Sequence, residues 1–498
     1  MPWTKERLEA TACERMNGAR LIVVANREPY IHVHQDGGIH CLRPASGLTT
    51  ALDPVMRACG GVWVAHGSGD ADREVVDDRD RILVPPETEE YFLRRVWLSR
   101  REEQGYYYGF ANAALWPLCH NAYARPRFNS ADWEQYWQVN QKFADAVLDE
   151  AGDAPAVVFV QDYHFALLPR MLKQARSDLI VAQFWHIPWP NREAFRICPW
   201  HDELLDGLLG NDLLSFQIQH HCNNFLDTVD RGMEAMVDTE RFSVSLGGHL
   251  TAVRPHPISI DPELAHSYLP ADVPAAERDL RRQLHLADAA VLIGVDRVDY
   301  TKGIPERFRA MDRLLSLHPE WIGKVCLVQV GAPSRVQIPA YRQLNDEILT
   351  LADEINRRHG RQGWKPIAFL NEHQGPEQIF TLSRIAAGCV VSSLHDGMNL
   401  VAKEFVAARN DEQGVLVLSQ FTGAARELDG ALLINPYAID DFAETLHAAL
   451  TMPPDEQRRR MRRMRHQVAC NNVYRWAGRL LSNIGSLVES GSFAGNPA

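Results

Sequence analysis

Residues Gly294–Phe308, GVDRVDYTKGIPERF, read as a strand ending at Val295, a loop carrying Arg297, Lys302 and Gly303, and a helix with Pro305 in its first turn. Proline fits that turn because the N–H it lacks has no intrahelical partner there. Amides at a helix start, with Arg and Lys beside them, suit an anion. The GxxxxGK[ST] pattern of a Walker A loop is absent. The pattern favours an anion site over the alternative that Arg297 and Lys302 are solvated loop charges. The strand–loop–helix unit points to a parallel α/β sheet. Further apolar runs agree: Leu21–Ala25, Val157–Gln161, Leu179–Trp185, Lys324–Val330, Ile367–Leu370, Cys389–Ser392, Val415–Ser419 and Ala431–Ile434. Most lack alternation, as strands covered on both faces do. Helical spacing lies between them, as at Ile304, Phe308, Met311 and Leu315.

The chain has 498 residues, 46% hydrophobic and 23% charged, with formal net charge −12. That composition is globular, not disordered or fibrous. No apolar run approaches the ~20 residues of a membrane span, and the N-terminus has no apolar core of a signal peptide; the expected location is cytoplasmic. Nine cysteines without a CxxC pair argue against a disulfide framework or zinc ribbon. The acidic balance disfavours a nucleic-acid surface. The run RRRMRRMRH at Arg458–His466 follows Asp455 and Glu456 on a helical pattern and reads as a solvated face. His32/His34 and His220/His221 lack HExxH spacing, so no metal is expected. The Pro- and acid-rich stretch from about 261 to 288 interrupts the alternation, so a boundary is expected near 256. The expected parts are 1–255, 256–475, and a terminal helix and tail at 476–498.

A second motif is SSLHDGMNLVAKEF, Ser392–Phe405. Gly397 permits close backbone approach to a ligand, and the amides of Gly397–Leu400 open a helix. Asp396 suits sugar hydroxyls and Glu404 ribose hydroxyls; a plain cap and a surface Glu fit the pattern equally. In the first half, polar residues stand at strand ends: Asn26-Arg27, Gln161-Asp162-Tyr163-His164 and His186-Ile187-Pro188. Ligands bind at the carboxyl ends of strands in open parallel sheets, although His186 alone also fits a core histidine.

Together these segments closely resemble the retaining sugar-nucleotide glycosyltransferases that make trehalose 6-phosphate, from about Leu21 to Leu450. Further markers are Ser46-Gly47-Leu48, Asn112-Ala113, Leu115-Trp116-Pro117, Ser334-Arg335, VLVLSQFTGAARE and Asn435-Pro436-Tyr437. The resemblance implies a GT-B fold, two Rossmann-like domains with the active site in the interdomain cleft. It implies a nucleotide-glucose donor such as UDP-glucose and glucose 6-phosphate as acceptor. Arg27, Tyr107, Trp116 and Arg335 would hold the acceptor phosphate, and Asp162 the acceptor hydroxyls. Arg297 and Lys302 would take the donor diphosphate with the backbone of Gly397, Met398, Asn399, Leu400 and Val401. Glu404 would take the ribose, Gln374 the base, Ser46 and Gly47 the closing loop, and His186 and Asp396 the transferred glucose. No cofactor or metal is implied, the partners being small molecules, with room for a homo-oligomer.

Three positions depart from the family pattern: His395 where Arg usually precedes Asp-Gly, Gln161 where His usually precedes Asp-Tyr-His, and Ser46-Gly47 for Gly-Gly. Arg27-Glu28-Pro29-Tyr30 also resembles glucosylglycerol-phosphate synthases, which use glycerol 3-phosphate. Asn26, Asp162-Tyr163-His164 and Thr301 favour the trehalose-phosphate group. A non-catalytic sugar-phosphate-binding homologue is the other alternative; the retained Arg27, Asp162, Arg297, Lys302 and Glu404 argue against it.

Overall fold

The computed structural model describes residues 2–16, 18–44, 47–361 and 363–489. Its strands are β1 (Arg20–Arg27), β2 (Ile31–Gln35), β3 (Gly38–Leu42), β4 (Val62–His66), β5 (Arg81–Val84), β6 (Tyr91–Val96), β7 (Ala156–Gln161), β8 (Ile180–Phe184) and β9 (Leu213–Phe216). They continue with β10 (Met236–Asp238), β11 (Ser243–Leu246), β12 (His249–Pro255), β13 (Ala290–Arg297), β14 (Val325–Ala332), β15 (Ile367–Leu370), β16 (Gly388–Val391), β17 (Val415–Ser419) and β18 (Leu432–Ile434). The chain divides into Met1–Ile258 with Val473–Ala498, and Ser259–Asn472.

In the first unit a ten-stranded sheet has the order β10-β11-β12-β9-β8-β7-β1-β4-β6-β5. Its middle, from β12 to β6, is parallel, and antiparallel strands close each edge. From β1 the chain proceeds to β4 and β6 on one side and later to β7, β8 and β9 on the other. The order reverses between β1 and β7, and in open α/β sheets ligands bind at such a point, beyond the strands' carboxyl ends. Leu21–Val24 pairs with Val157–Val160, and both runs are buried, which is why neither alternates.

The second unit has the order β15-β14-β13-β16-β17-β18, with every neighbouring pair parallel. This is the doubly wound Rossmann arrangement, and its switch point lies between β13 and β16. All nine sequence-derived strands are present, their ends shifted by one or two residues.

The terminal helix Val473–Glu489 belongs with the first unit. Trp476 explains why: it is buried, its ring meets Phe184 edge-on at 5.3 Å, and its Nε1–H donates to His256 O at 3.2 Å. Among the described residues no helix is long and apolar enough to cross a membrane.

Candidate active site

In the first unit, the site residues gather where β1 and β7 end. Arg27 closes β1 with an exposed side chain that enters no ion pair among the described residues. Beside it, Asn26 Oδ1 accepts from Tyr106 Oη at 3.0 Å. Tyr106 and Tyr107 lie on Gln104–Leu115, a π-helix. Such helices are rare and occur often at functional sites. Gly105 and Gly109 let it press on the helix Ser130–Ala151; a Cβ on them would meet Gln135 Cγ at 2.6 Å and Asp132 Cγ at 2.5 Å. Asn112 ties the wall together, donating to Tyr107 O at 2.8 Å and accepting from Tyr163 Oη at 2.8 Å. Tyr107 stacks on His164 with centroids 5.8 Å apart, and Trp116 packs against Tyr163 at 5.8 Å.

Asp162 follows β7 with φ 70° and ψ 177°. That region is essentially reserved for glycine, and a side chain held there marks strain that its surroundings enforce. Its N–H donates to Phe184 O at 2.7 Å, its carbonyl accepts from Gln183 Nε2 at 3.0 Å, and its Oδ1 accepts from the His186 N–H at 3.1 Å. Burial lowers His186 to about 3, so its ring is neutral. Nε2–H donates to Gln161 Oε1 at 2.9 Å, which leaves Nδ1 as the acceptor nitrogen. Gln161, read from sequence only as a departure, therefore sets the tautomer. Gly47 opens the helix Gly47–Cys59; Ser46 lies outside the described residues.

In the second unit, the switch point carries the cations. Lys302 Nζ sits 2.6 Å from Asp396 Oδ2, which also accepts from Ser393 Oγ and Asn399 Nδ2, both at 3.1 Å. Gly303, with φ 63°, passes so close to Ser392 that a Cβ would enter the Ser392 carbonyl oxygen. Ser392 Oγ donates to Gly303 O at 2.7 Å and accepts from Arg307 Nε at 3.1 Å. Arg307, 1% exposed, in turn donates to Asp296 Oδ2 at 2.7 Å. Burial pushes Asp296 up, against the opposing charges of Arg307 and Lys302. The buried layer thus holds the loop that presents Lys302.

Asp299 forms the second brace. Its Oδ1 caps Thr301 N–H at 3.0 Å, and its Oδ2 accepts from Arg335 at 3.2 Å and Tyr341 Oη at 3.2 Å. Burial acts to raise Asp299, but the Arg335 and Arg297 charges outweigh it and hold the carboxyl low. Arg297, half-buried, ends β13. Arg335 is therefore placed in this unit, beside Asp299.

The loop after His395 is pinned from behind. Met398 O accepts from Ala424 N–H at 2.9 Å, and Gly423 leaves room where a Cβ would strike Gly397 O. Asn399, at φ 75°, caps the helix Leu400–Ala408 by accepting from Ala402 N–H at 3.2 Å. The first-turn amides, including Leu400 and Val401, have no intrahelical acceptor. Glu404 lies one turn on, and desolvation raises it to about 7. Gln374 is buried and donates to Glu372 Oε1 at 2.9 Å.

The model of glycosyltransferase family 20 matches residues 19–486. The chain belongs to that family. Among its relatives is a trehalose-6-phosphate synthase of Mycolicibacterium vanbaalenii, 38% identical over 95% of this chain and 97% of the relative. A UDP-forming alpha,alpha-trehalose-phosphate synthase of Schizosaccharomyces pombe is 34% identical over 89% of this chain and 85% of the relative. Among solved structures, an E. coli trehalose-6-phosphate protein bound with UDP-2-fluoro glucose is 32% identical with a TM-score of 0.84, covering 94% of this chain and 99% of that one. A UDP-forming synthase from Burkholderia xenovorans in complex with glucose-6-phosphate is 32% identical with a TM-score of 0.82, covering 94% and 100%.

Two other clusters of this family 20 glycosyltransferase have local explanations. In the Arg-rich helix Pro454–Cys470, Arg458, Arg459, Arg460, Arg462 and Arg463 each pair with a carboxylate, as a solvated face does. His318, Glu320 and His447 bring possible ligand atoms within 4.8 Å. The two imidazoles, however, stack face to face at 3.8 Å, and His447 Nδ1 already accepts from Trp321 Nε1 at 3.1 Å.

Proposed function

We propose that this chain transfers glucose from UDP-glucose to glucose 6-phosphate with retention, releasing UDP and forming trehalose 6-phosphate. The observation that carries the reading is the switch-point cluster of the second unit. There Arg297 ends β13, and Lys302, in the loop after it, sits against Asp396, which precedes a pinned helix start. Relatives named for the UDP-forming synthase support the same substrates.

The donor C1–O bond breaks as the acceptor oxygen bonds to C1. The electron pair of the broken bond leaves on the diphosphate oxygen, and the acceptor proton passes to that phosphate. Arg297, Lys302 and the amides of Gly397–Val401 face the charge that develops there. Removing one such fixed donor typically costs ~2.7–4 kcal/mol of transition-state stabilisation. Retention by a double displacement would need a carboxylate nucleophile. Asp162 is the candidate, but its Oδ1 is held by the His186 amide, which favours front-face attack with Asp162 orienting acceptor hydroxyls. Arg27, Tyr107 and Trp116 bind the acceptor phosphate. His186 and Asp396 bind the transferred glucose, Glu404 the ribose, Gln374 the base and Ser46-Gly47 the donor. Fixed cations serve the leaving group, so no metal or cofactor is required, and a cytoplasmic location suits these substrates.

The test offers UDP-, ADP- and GDP-glucose with glucose 6-phosphate or glycerol 3-phosphate and follows nucleotide release. Turnover with UDP-glucose and glucose 6-phosphate is expected. Turnover with glycerol 3-phosphate alone, or sugar-phosphate binding without transfer, contradicts the reading.

A further inference from the structure

Arg27 points outward, but the next residue turns inward: Glu28 is 1% exposed. Glu28 Oε1 accepts from the Ser68 N–H at 2.8 Å and Oγ at 3.0 Å, and Oε2 accepts from Arg95 Nε at 2.9 Å. Arg95, buried on β6, also donates to Asp72 O at 2.9 Å, Tyr30 O at 3.2 Å and His32 Nδ1 at 2.8 Å. Asp72 closes the ring, with Oδ1 2.8 Å from Arg95 and accepting from the His32 N–H at 2.7 Å. A second tie runs from Tyr30 Oη to Asp53 at 3.1 Å, and Tyr91 Oη joins it at 2.7 Å.

One guanidinium thus fixes the chain at 28, 30 and 32 against residues 68–72. The β1–β4 ladder is irregular just before this point: its register shifts between the Val24–Val64 and Arg27–His66 pairs. Burying two carboxylates and a guanidinium is costly, and apolar residues of similar volume are often as stable. The network therefore contributes geometry more than stability. We propose that Glu28, acting through Arg95, is a positioning residue that aims the Arg27 guanidinium at the acceptor phosphate. The inference rests on Arg27 binding that phosphate.

A double-mutant cycle of Arg27→Ala and Glu28→Ala tests it, reading KM for glucose 6-phosphate and for UDP-glucose separately. A misplacement near 1 Å can cost ~10²-fold, so Glu28→Ala is expected to raise the acceptor KM by roughly 10–100-fold and leave the donor KM unchanged. In the Arg27→Ala background it adds nothing. Glu28→Gln keeps the volume and one acceptor oxygen, and is expected to show the same pattern at smaller size should the Ala variant fail to fold. An acceptor KM raised equally in both backgrounds, both KM values rising together, or no change in either Glu28 variant overturns the proposal. An Arg27→Ala enzyme with normal acceptor KM instead overturns the phosphate reading beneath it.

Discussion

Gly303→Ala should separate activity from folding. The residue sits at φ 63°, and a Cβ there would fall well inside 3.0 Å of the Ser392 carbonyl oxygen, 3.1 Å from its carbon and 3.2 Å from Leu394 Cδ2. The left-handed backbone costs an L-residue about 1–2 kcal/mol. The clash is with backbone, not with a flexible side-chain tip, so the loop must yield. Ser392 cannot yield freely, because it accepts from buried Arg307. The displacement passes to Lys302, whose Nζ lies 2.6 Å from Asp396. A shift of roughly 1 Å there predicts a ~10²-fold loss of kcat. The assay is UDP release at saturating substrates, alongside thermal unfolding. The expected outcome is a modestly lowered melting temperature and a kcat reduced by two orders. A folded variant with near-normal kcat would refute the claim that this contact holds the cation in place.

Lys302→Ala should lower kcat by ~10²–10³, read from initial rates; near-normal turnover removes it from leaving-group stabilisation. Glu404, raised to about 7 by desolvation, is protonated below that pH and accepts ribose hydroxyls less well, so kcat/KM for the donor should fall as pH drops through 7. Glu404→Gln should abolish that limb, and its persistence would assign it elsewhere. Trp476→Ala should cost about 3–5 kcal/mol in the first unit, seen as a lower unfolding midpoint with kcat little changed. Full stability would mean that the terminal helix is not anchored through Trp476.

The parallel strands were legible because continuous apolar runs between turn residues have few other readings. The hairpin Ser243–Pro255 was also legible in principle: SVSLGGHLTAV places Gly247 and Gly248 between alternating strands, both at positive φ. β2 and β3 carry the same signal, with Asp36 and Gly37 at positive φ between them. The chemistry-bearing residues could be named from motif resemblance. Their supports could not, since Arg307 with Ser392, Asp299 with Arg335, and Gln161 with His186 are tertiary pairs separated by at least 25 positions in sequence. The π-helix carrying Tyr107 left only its paired glycines as a sign.

The proposed reaction is glucosyl transfer with the anomeric configuration kept. The direct measurement is NMR of the product from UDP-glucose and glucose 6-phosphate, reading both anomeric couplings. The expected product is one phosphorylated disaccharide with both anomeric centres α. A β-linked product, or UDP release that yields only free glucose, would contradict it.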